Sequence, residues 1–207
     1  ADPRKARLLI EHGAAVNAAS QLGRTPLMIA ATCDGCADTV RLLLAKGAAV
    51  NARDQLGASA LSRAVEANDL ETIRLLIDHG ADPVSPDLGG YSPLMISAAY
   101  CNLPAVRLLL AKGANVNGAN TFSGEVKFGK IQLIHLSPLM LAAPLCSADV
   151  LKALLDAGAN VNEKDSRDMT TLMFAVASEH QDLAVVNLLL KSGAGLNVRS
   201  NMGETAL

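Results

Sequence analysis

Apolar positions in this chain fall in short clusters that recur, each bounded by the same polar and glycine signals. In residues 23–51, Thr25-Pro26 stands ahead of Leu27 and Met28, and Ala30-Ala31 close a short first run. Threonine caps the first free amides of a helix, and proline at the next position loses nothing by having no N–H. After a short turn comes a second run, Val40, Leu42, Leu43 and Leu44, with the spacing of a buried helical stripe. Gly47 ends it, at a place where the backbone needs positive φ. The pattern predicts two helices per segment, and it returns over 57–83, 90–117, 137–162 and 169–197. Ser92-Pro93 and Ser137-Pro138 repeat the start signal, while Ser59-Ala60 and Thr170-Thr171 keep the cap without the proline. His12, Lys46, His79 and Lys112 precede the closing glycines, where a cation suits the negative end of a helix, so they read as caps rather than ligands.

The closing glycines, Gly13, Gly47, Gly80, Gly113, Gly158 and Gly193, are separated by 34, 33, 33, 45 and 35 residues. A period near 33 residues with a TPLHxA-like signature resembles the ankyrin repeat, a β-turn followed by two antiparallel helices. The resemblance implies an all-α solenoid of helix-turn-helix units joined by β-turn fingers, with one inserted hairpin-like loop. It divides the chain into a partial unit at 1–22, units at 23–56, 57–89, 90–136, 137–168 and 169–202, and the start of another at 203–207. One continuous array is expected, because stacked hairpins of helices share their core with their neighbours. The family places His after TPL as a tie between turns; Met28, Met95, Met140 and Met173 take that place here, with Ser62 in the second unit. Flexible apolar filling is expected instead of the tie. Asn17, Asn51, Asn117, Asn162 and Asn197 recur after the second helix and are expected to close local turns.

Composition fits such thin, uniform layers: of 207 residues 50% are apolar and only 2% aromatic. A net charge of −2 argues against a nucleic-acid partner or an anionic membrane surface. No run of about 18 apolar residues occurs and residues 1–5 lead into no signal-peptide core, so a soluble chain without membrane insertion is expected. Cytoplasm and periplasm are not distinguished. Both ends fall inside the repeat pattern, which suggests an excerpt of a longer array or multidomain protein.

The long interval places about 12 additional residues within 118–136. Closing the longer loop costs only about 0.9 kcal/mol, so its presence alone proves no use. Val126 and Phe128 alternate with Glu125 and Lys127, and Ile131 and Leu133 with Lys130 and Gln132, around Gly129. That alternation predicts a short β-hairpin. Residues 124–130 match GxxxxGK, but Ile131 stands where a phosphate loop needs Ser or Thr, and no helix follows to receive a phosphate.

Cys33 and Cys36 form a CxxC pair in a helix-to-helix turn. Cys33 follows the first helix, where the dipole opposes a thiolate, and no further ligands are spaced for zinc; a local disulfide remains open. Cys101 and Cys146 each lie nine residues after the capping serine of their unit. Helices about 8 to 10 Å apart exceed the roughly 7 Å reach of a disulfide, so no bridge is expected between them. This reading of the cysteines leans slightly towards a reducing compartment. His135 and His180 have no matched carboxylate and hydroxyl, and no catalytic residue, cofactor site or metal site is expected.

Four of the five aromatics, Tyr91, Tyr100, Phe122 and Phe128, lie in the third unit or the insertion; Phe174 occupies a core-like helix position. The resemblance puts Tyr91 and Tyr100 on the finger side of the concave face, where ankyrin proteins contact partners. Interfaces draw their energy from a few such anchors. Phe122 and Phe128 serve equally well as anchors for a partner or for the loop itself. Leu22, Leu56 and Met202 precede the turn glycines and predict an apolar fingertip row, broken by Arg167. Arg63 and Glu66 are expected to face solvent in the groove. The expected function is a non-catalytic module that binds a protein, or a flanking domain of its own chain, through Tyr91, Tyr100, Phe122, Phe128, Leu22, Leu56, Arg63 and Glu66. The alternative is a structural or regulatory segment of a larger enzyme or redox protein, since TPLM arrays resemble those of large bacterial multidomain proteins.

Overall fold

The computed structural model describes residues 2–120, 123–126, 129–132, 135–179 and 182–207, with backbone alone for 123–126 and 129–132. The helices alternate as the caps predict. The first helices of the repeats are α2 (Pro26–Ala31), α4 (Ala60–Glu66), α6 (Pro93–Ala99), α8 (Pro138–Ala142) and α10 (Thr171–Val176). The second helices are α1 (Pro3–Glu11), α3 (Ala37–Ala45), α5 (Leu70–Asp78), α7 (Leu103–Ala111), α9 (Ala148–Asp156) and α11 (Leu183–Lys191). Thr25, Ser92 and Ser137 accept the N–H groups of Met28, Met95 and Met140 at 3.3, 3.3 and 3.4 Å. Ser59 and Ser62 cap each other's backbone, so the serine makes a polar bond within its own cap where the other repeats place methionine. Helix α8 is the shortest because Pro144, two residues past its end, can neither donate to the helix nor let its neighbour stay helical easily. His12 and His79 cap α1 and α5 as expected, each Nδ1 lying 2.8 Å from the carbonyl oxygen of Leu8 or Leu75.

The chain forms two compact units, 1–88 and 89–207. In the first, α1 packs on α3, α2 on α3 and α4, and α5 on α3 and α4. Leu27, Leu61, Ile73 and Leu76 are buried there. In the second, α6 packs on α7 and α8, α9 on α7, α8 and α11, and α10 on α8 and α11. Leu94, Leu109, Leu139, Leu151, Leu154 and Leu189 form its core, and Met95, Met140 and Met173 are buried with them as apolar filling. The insertion contributes β1 (Ser123–Val126) and β2 (Gly129–Gln132), antiparallel, with Val126 opposite Gly129. The hairpin expected from the alternation is therefore present.

Four of the five recurring asparagines, Asn17, Asn51, Asn117 and Asn162, reach across to the next repeat. Asn51 donates to the Gly80 carbonyl at 2.9 Å and accepts the Asp82 N–H at 2.9 Å, one repeat further on. Asn17 does the same with Gly47 and Ala49, Asn117 with Gly158 and Asn160, and Asn162 with Gly193 and Gly195. A side-chain amide carries a donor and an acceptor on one plane and so can clamp both at once. Stacking brings the next repeat's turn alongside, so these amides bond across to it instead of closing local turns as expected. Val84 stands at this position in the second repeat and has no amide to offer.

Three residues after each of the five recurring asparagines, a side-chain oxygen organises the finger. Ser20, Asp54, Asp165 and Ser200 accept the N–H four residues ahead, from Arg24, Ala58, Met169 and Glu204. Asn120 makes the same bond to Leu136, 16 residues ahead, at 2.9 Å. The insertion is thus spliced into the finger turn, and Asn120 closes the turn across it. His135, with φ of +70°, takes the place that Gly57 holds in the second repeat: each donates its N–H to the carbonyl of the residue that starts the turn.

The cysteine expectation is corrected. Cys101 and Cys146 are joined by a disulfide, with Cα atoms 5.2 Å apart. The helix-to-helix spacing used to exclude it applies to residues on helix faces. Cys101 follows the end of α6 in the left-handed region, with φ of +57°, and Cys146 lies in the turn before α9, so neither is bound by that spacing. Cys33 and Cys36 are also bridged, and among the described residues no cysteine is free. The slight leaning towards a reducing compartment loses its basis.

Candidate functional site

In the unit 1–88, backbone bonds tie neighbouring fingers together. The Gln55 N–H donates to the Leu22 carbonyl and the Leu88 N–H to the Leu56 carbonyl, both at 3.0 Å. Gly57 lets the fingers come this close: a Cβ there would lie 2.8 Å from the Leu88 nitrogen, and its φ is +75°. With the backbone polar groups satisfied in this way, Leu22, Leu56 and Leu88 point outward, each more than half exposed. Leu88 was missed from the sequence because it stands two residues before its turn glycine, Gly90, instead of one.

Beside the fingers, Arg24, Met28, Ile29, Thr32 and Arg63 line a shallow groove. Under it lies the Asp54 carboxylate, whose side chain is 2% exposed. It accepts from the Leu56 and Ala58 amides at 2.9 and 3.0 Å and from the Arg63 guanidinium at 2.8 Å, with the Arg24 Nε at 3.8 Å. Burial pushes the Asp54 carboxyl up, but Arg63 and the two amides outweigh it, and its pKa lies below the ordinary carboxylate value. Burial likewise lowers Arg63 while Asp54 and Glu66 raise it, and the net shift is upward. Arg63 therefore departs from its expected place facing solvent: its side chain is 17% exposed and spans Asp54 and Glu66, the latter at 3.0 Å. Glu66 remains exposed at the groove edge.

In the unit 89–207, Tyr91 is half-buried at the start of its repeat. Tyr100, the C-cap of α6, is largely exposed, and so is Leu145, which holds the equivalent place in the next repeat. Phe174 was placed in the core by its spacing, yet it is only half-buried, with the Arg167 guanidinium 5.7 Å from the ring centroid. Asp165 orients that arginine at 2.8 Å. The Asn201 N–H joins the last finger to the Arg167 carbonyl, and Met202 is exposed beyond it. Phe122 and Phe128 lie outside the described residues, as does His180.

One ionisable group is poorly served. Glu163 Oε2 is buried without a partner among the described residues. Burial holds its pKa above the ordinary value, against a bond from the Ser137 hydroxyl and the influence of His135. Among the described residues no three His, Cys, Asp or Glu side chains converge as a metal site would need, and no helix is long and apolar enough to cross a membrane. The GxxxxGK match lies largely on β1 and β2, a strand setting unlike the loop and helix N-terminus that hold a phosphate.

The family model described as ankyrin repeats (3 copies) matches residues 3–54, 46–120 and 131–207. The fold is similar to the crystal structure of the ankyrin repeat domain of Bcl-3, described there as a unique member of the IkappaB protein family. The TM-score is 0.76 and the sequences are 27% identical over 99% of this chain and 85% of that one. No curated protein sequence matches the chain. Capped helix pairs at this period, fingers bonded to fingers and the matching of nearly every residue lead to one conclusion: the chain belongs to the ankyrin repeat family.

Proposed function

We propose that this chain docks a partner protein, or a flanking domain of its own polypeptide, through its finger row and first-helix grooves, in keeping with the general role of ankyrin repeats as non-catalytic scaffolds for protein–protein interaction. The observation that carries the reading is the row Leu22, Leu56 and Leu88, large apolar side chains held outward on consecutive fingers. Exposed apolar surface on an ordered backbone marks an interaction site, because leaving it wet opposes solubility. The groove behind it adds Ile29 and the half-exposed Arg24, with Arg63 and Glu66 as a fixed polar rim. In the second unit Tyr91 and Tyr100 supply aromatic anchors, joined by Phe122 and Phe128 of the insertion.

Replacing Leu56 and Leu88 by serine and Tyr100 by alanine tests the reading. Capture of the partner from a lysate is expected to fall about tenfold or more, with the helical circular dichroism unchanged. Undiminished capture by a folded variant removes the finger row and Tyr100 from the interface.

A further inference from the structure

The two disulfides differ in the features that govern exchange with a thiol. Cys101–Cys146 joins two repeats across 45 residues, and Cys146 is buried. Cys33–Cys36 closes a separation of 3 residues within one turn. Cys33 is half-buried, its neighbours Thr32, Asp34 and Gly35 are all exposed, and Cys36 is buried, which makes Cys33 the more accessible half of the pair. A cross-link over so short a loop also restrains the unfolded chain least and holds the native fold least.

The sulfur that departs is placed differently. Cys36 is 4% exposed and is the N-cap of α3. The amides of a first helical turn and the positive end of the helix favour a thiolate at that position. Asp38 in the same turn opposes it, but Arg41 pairs with Asp38 at 2.7 Å and reduces the effect. Cys33, at the end of a helix, is the half of the CxxC pair at which the dipole opposes a thiolate. The structure puts Cys36, the other half of the pair, at the start of the next one.

We propose that Cys33–Cys36 is a thiol–disulfide exchange site, reduced by an external dithiol that attacks Cys33 and expels Cys36. A thiolate of the dithiol forms a bond to Cys33 Sγ as the Cys33–Cys36 bond breaks, and the electron pair passes to Cys36 Sγ, which takes a proton from water. The dithiol's second thiolate then attacks its own sulfur in the mixed disulfide and releases Cys33. Two electrons move from the dithiol to the protein; the donor becomes a disulfide and the protein holds two thiols. Cys101–Cys146 stays intact throughout.

The test uses the full oxidised chain, equilibrated with increasing dithiothreitol, quenched with acid, alkylated and mapped by peptide mass. Cys33 and Cys36 are expected to take up label at about tenfold lower dithiothreitol than Cys101 and Cys146, with the helical dichroism intact through that first step. Both pairs opening together, the 101–146 pair opening first, or helicity falling in the first step overturns the proposal. A parallel incubation with reduced glutathione is expected to leave the mixed disulfide on Cys33, and finding it on Cys36 refutes the assignment of the leaving sulfur.

Discussion

Asn120 Oδ1 accepts the backbone N–H of Leu136 at 2.9 Å, and both residues are buried. The pair makes the insertion an addition to a finger and not an interruption of the array, since the turn closes as it does in the repeats without one. Replacing Asn120 by alanine leaves a buried N–H without a partner and should cost about 1–3 kcal/mol. Urea unfolding followed by helical dichroism measures the loss; a change below a few tenths of a kcal/mol would show that the insertion is held in place by something else.

Asn51 holds two backbone groups of the next repeat, the Gly80 carbonyl and the Asp82 N–H. Alanine at 51 should lower stability by about 1–2 kcal/mol, since both groups lie at the surface and water partly replaces the amide. Aspartate should recover only the bond to the Asp82 N–H, because it cannot donate to the Gly80 carbonyl. The order of stability wild type, Asn51→Asp, Asn51→Ala in denaturant titrations checks the clamp, and equal values for the two variants would contradict it.

Two carboxyls should give opposite pH dependences. The Asp54 pKa is lowered in the fold, so its stabilisation is complete above the unfolded value of about 3.9 and is lost as pH falls through the folded one. Asp54→Asn should flatten the acid limb of a stability–pH curve, and Arg63→Met should cost about 3 kcal/mol at neutral pH by leaving a buried carboxylate unpaired. Glu163 is raised, so it destabilises as pH climbs past its unfolded value of about 4.3. Glu163→Gln should therefore stabilise the chain at pH 7 and match wild type near pH 3. Thermal melts across this range read both effects, and a Gln variant less stable than wild type at pH 7 would reverse the assignment.

Cys101–Cys146 closes a loop of 45 residues that contains the insertion. By the loop-entropy relation such a link is worth about 4 kcal/mol. The double variant Cys101→Ser, Cys146→Ser should lose a comparable amount in urea, and added reductant should then have little further effect on its stability. A variant as stable as the oxidised protein would mean that the bridge is incidental to the fold.

The sequence by itself determined where helices start and stop, how often they recur and that a hairpin interrupts one finger. Those features depend on neighbours within a few residues: a threonine or serine three residues before the amide it caps, a glycine able to turn left-handed, an alternation of side chains. Reasoning along one repeat placed Leu22, Leu56 and Tyr100 on the surface for the same reason. It missed Leu88, took Arg63 for a solvent-facing charge and Phe174 for core, read the asparagines as local and excluded the bond between Cys101 and Cys146. Tertiary structure decided each of these that joins residues about 30 to 45 positions apart. Stacking lays the turn of one repeat against the turn of the next, and the reach of an amide or a sulfur across that gap depends on how closely the backbones approach, which no spacing within a single repeat can fix.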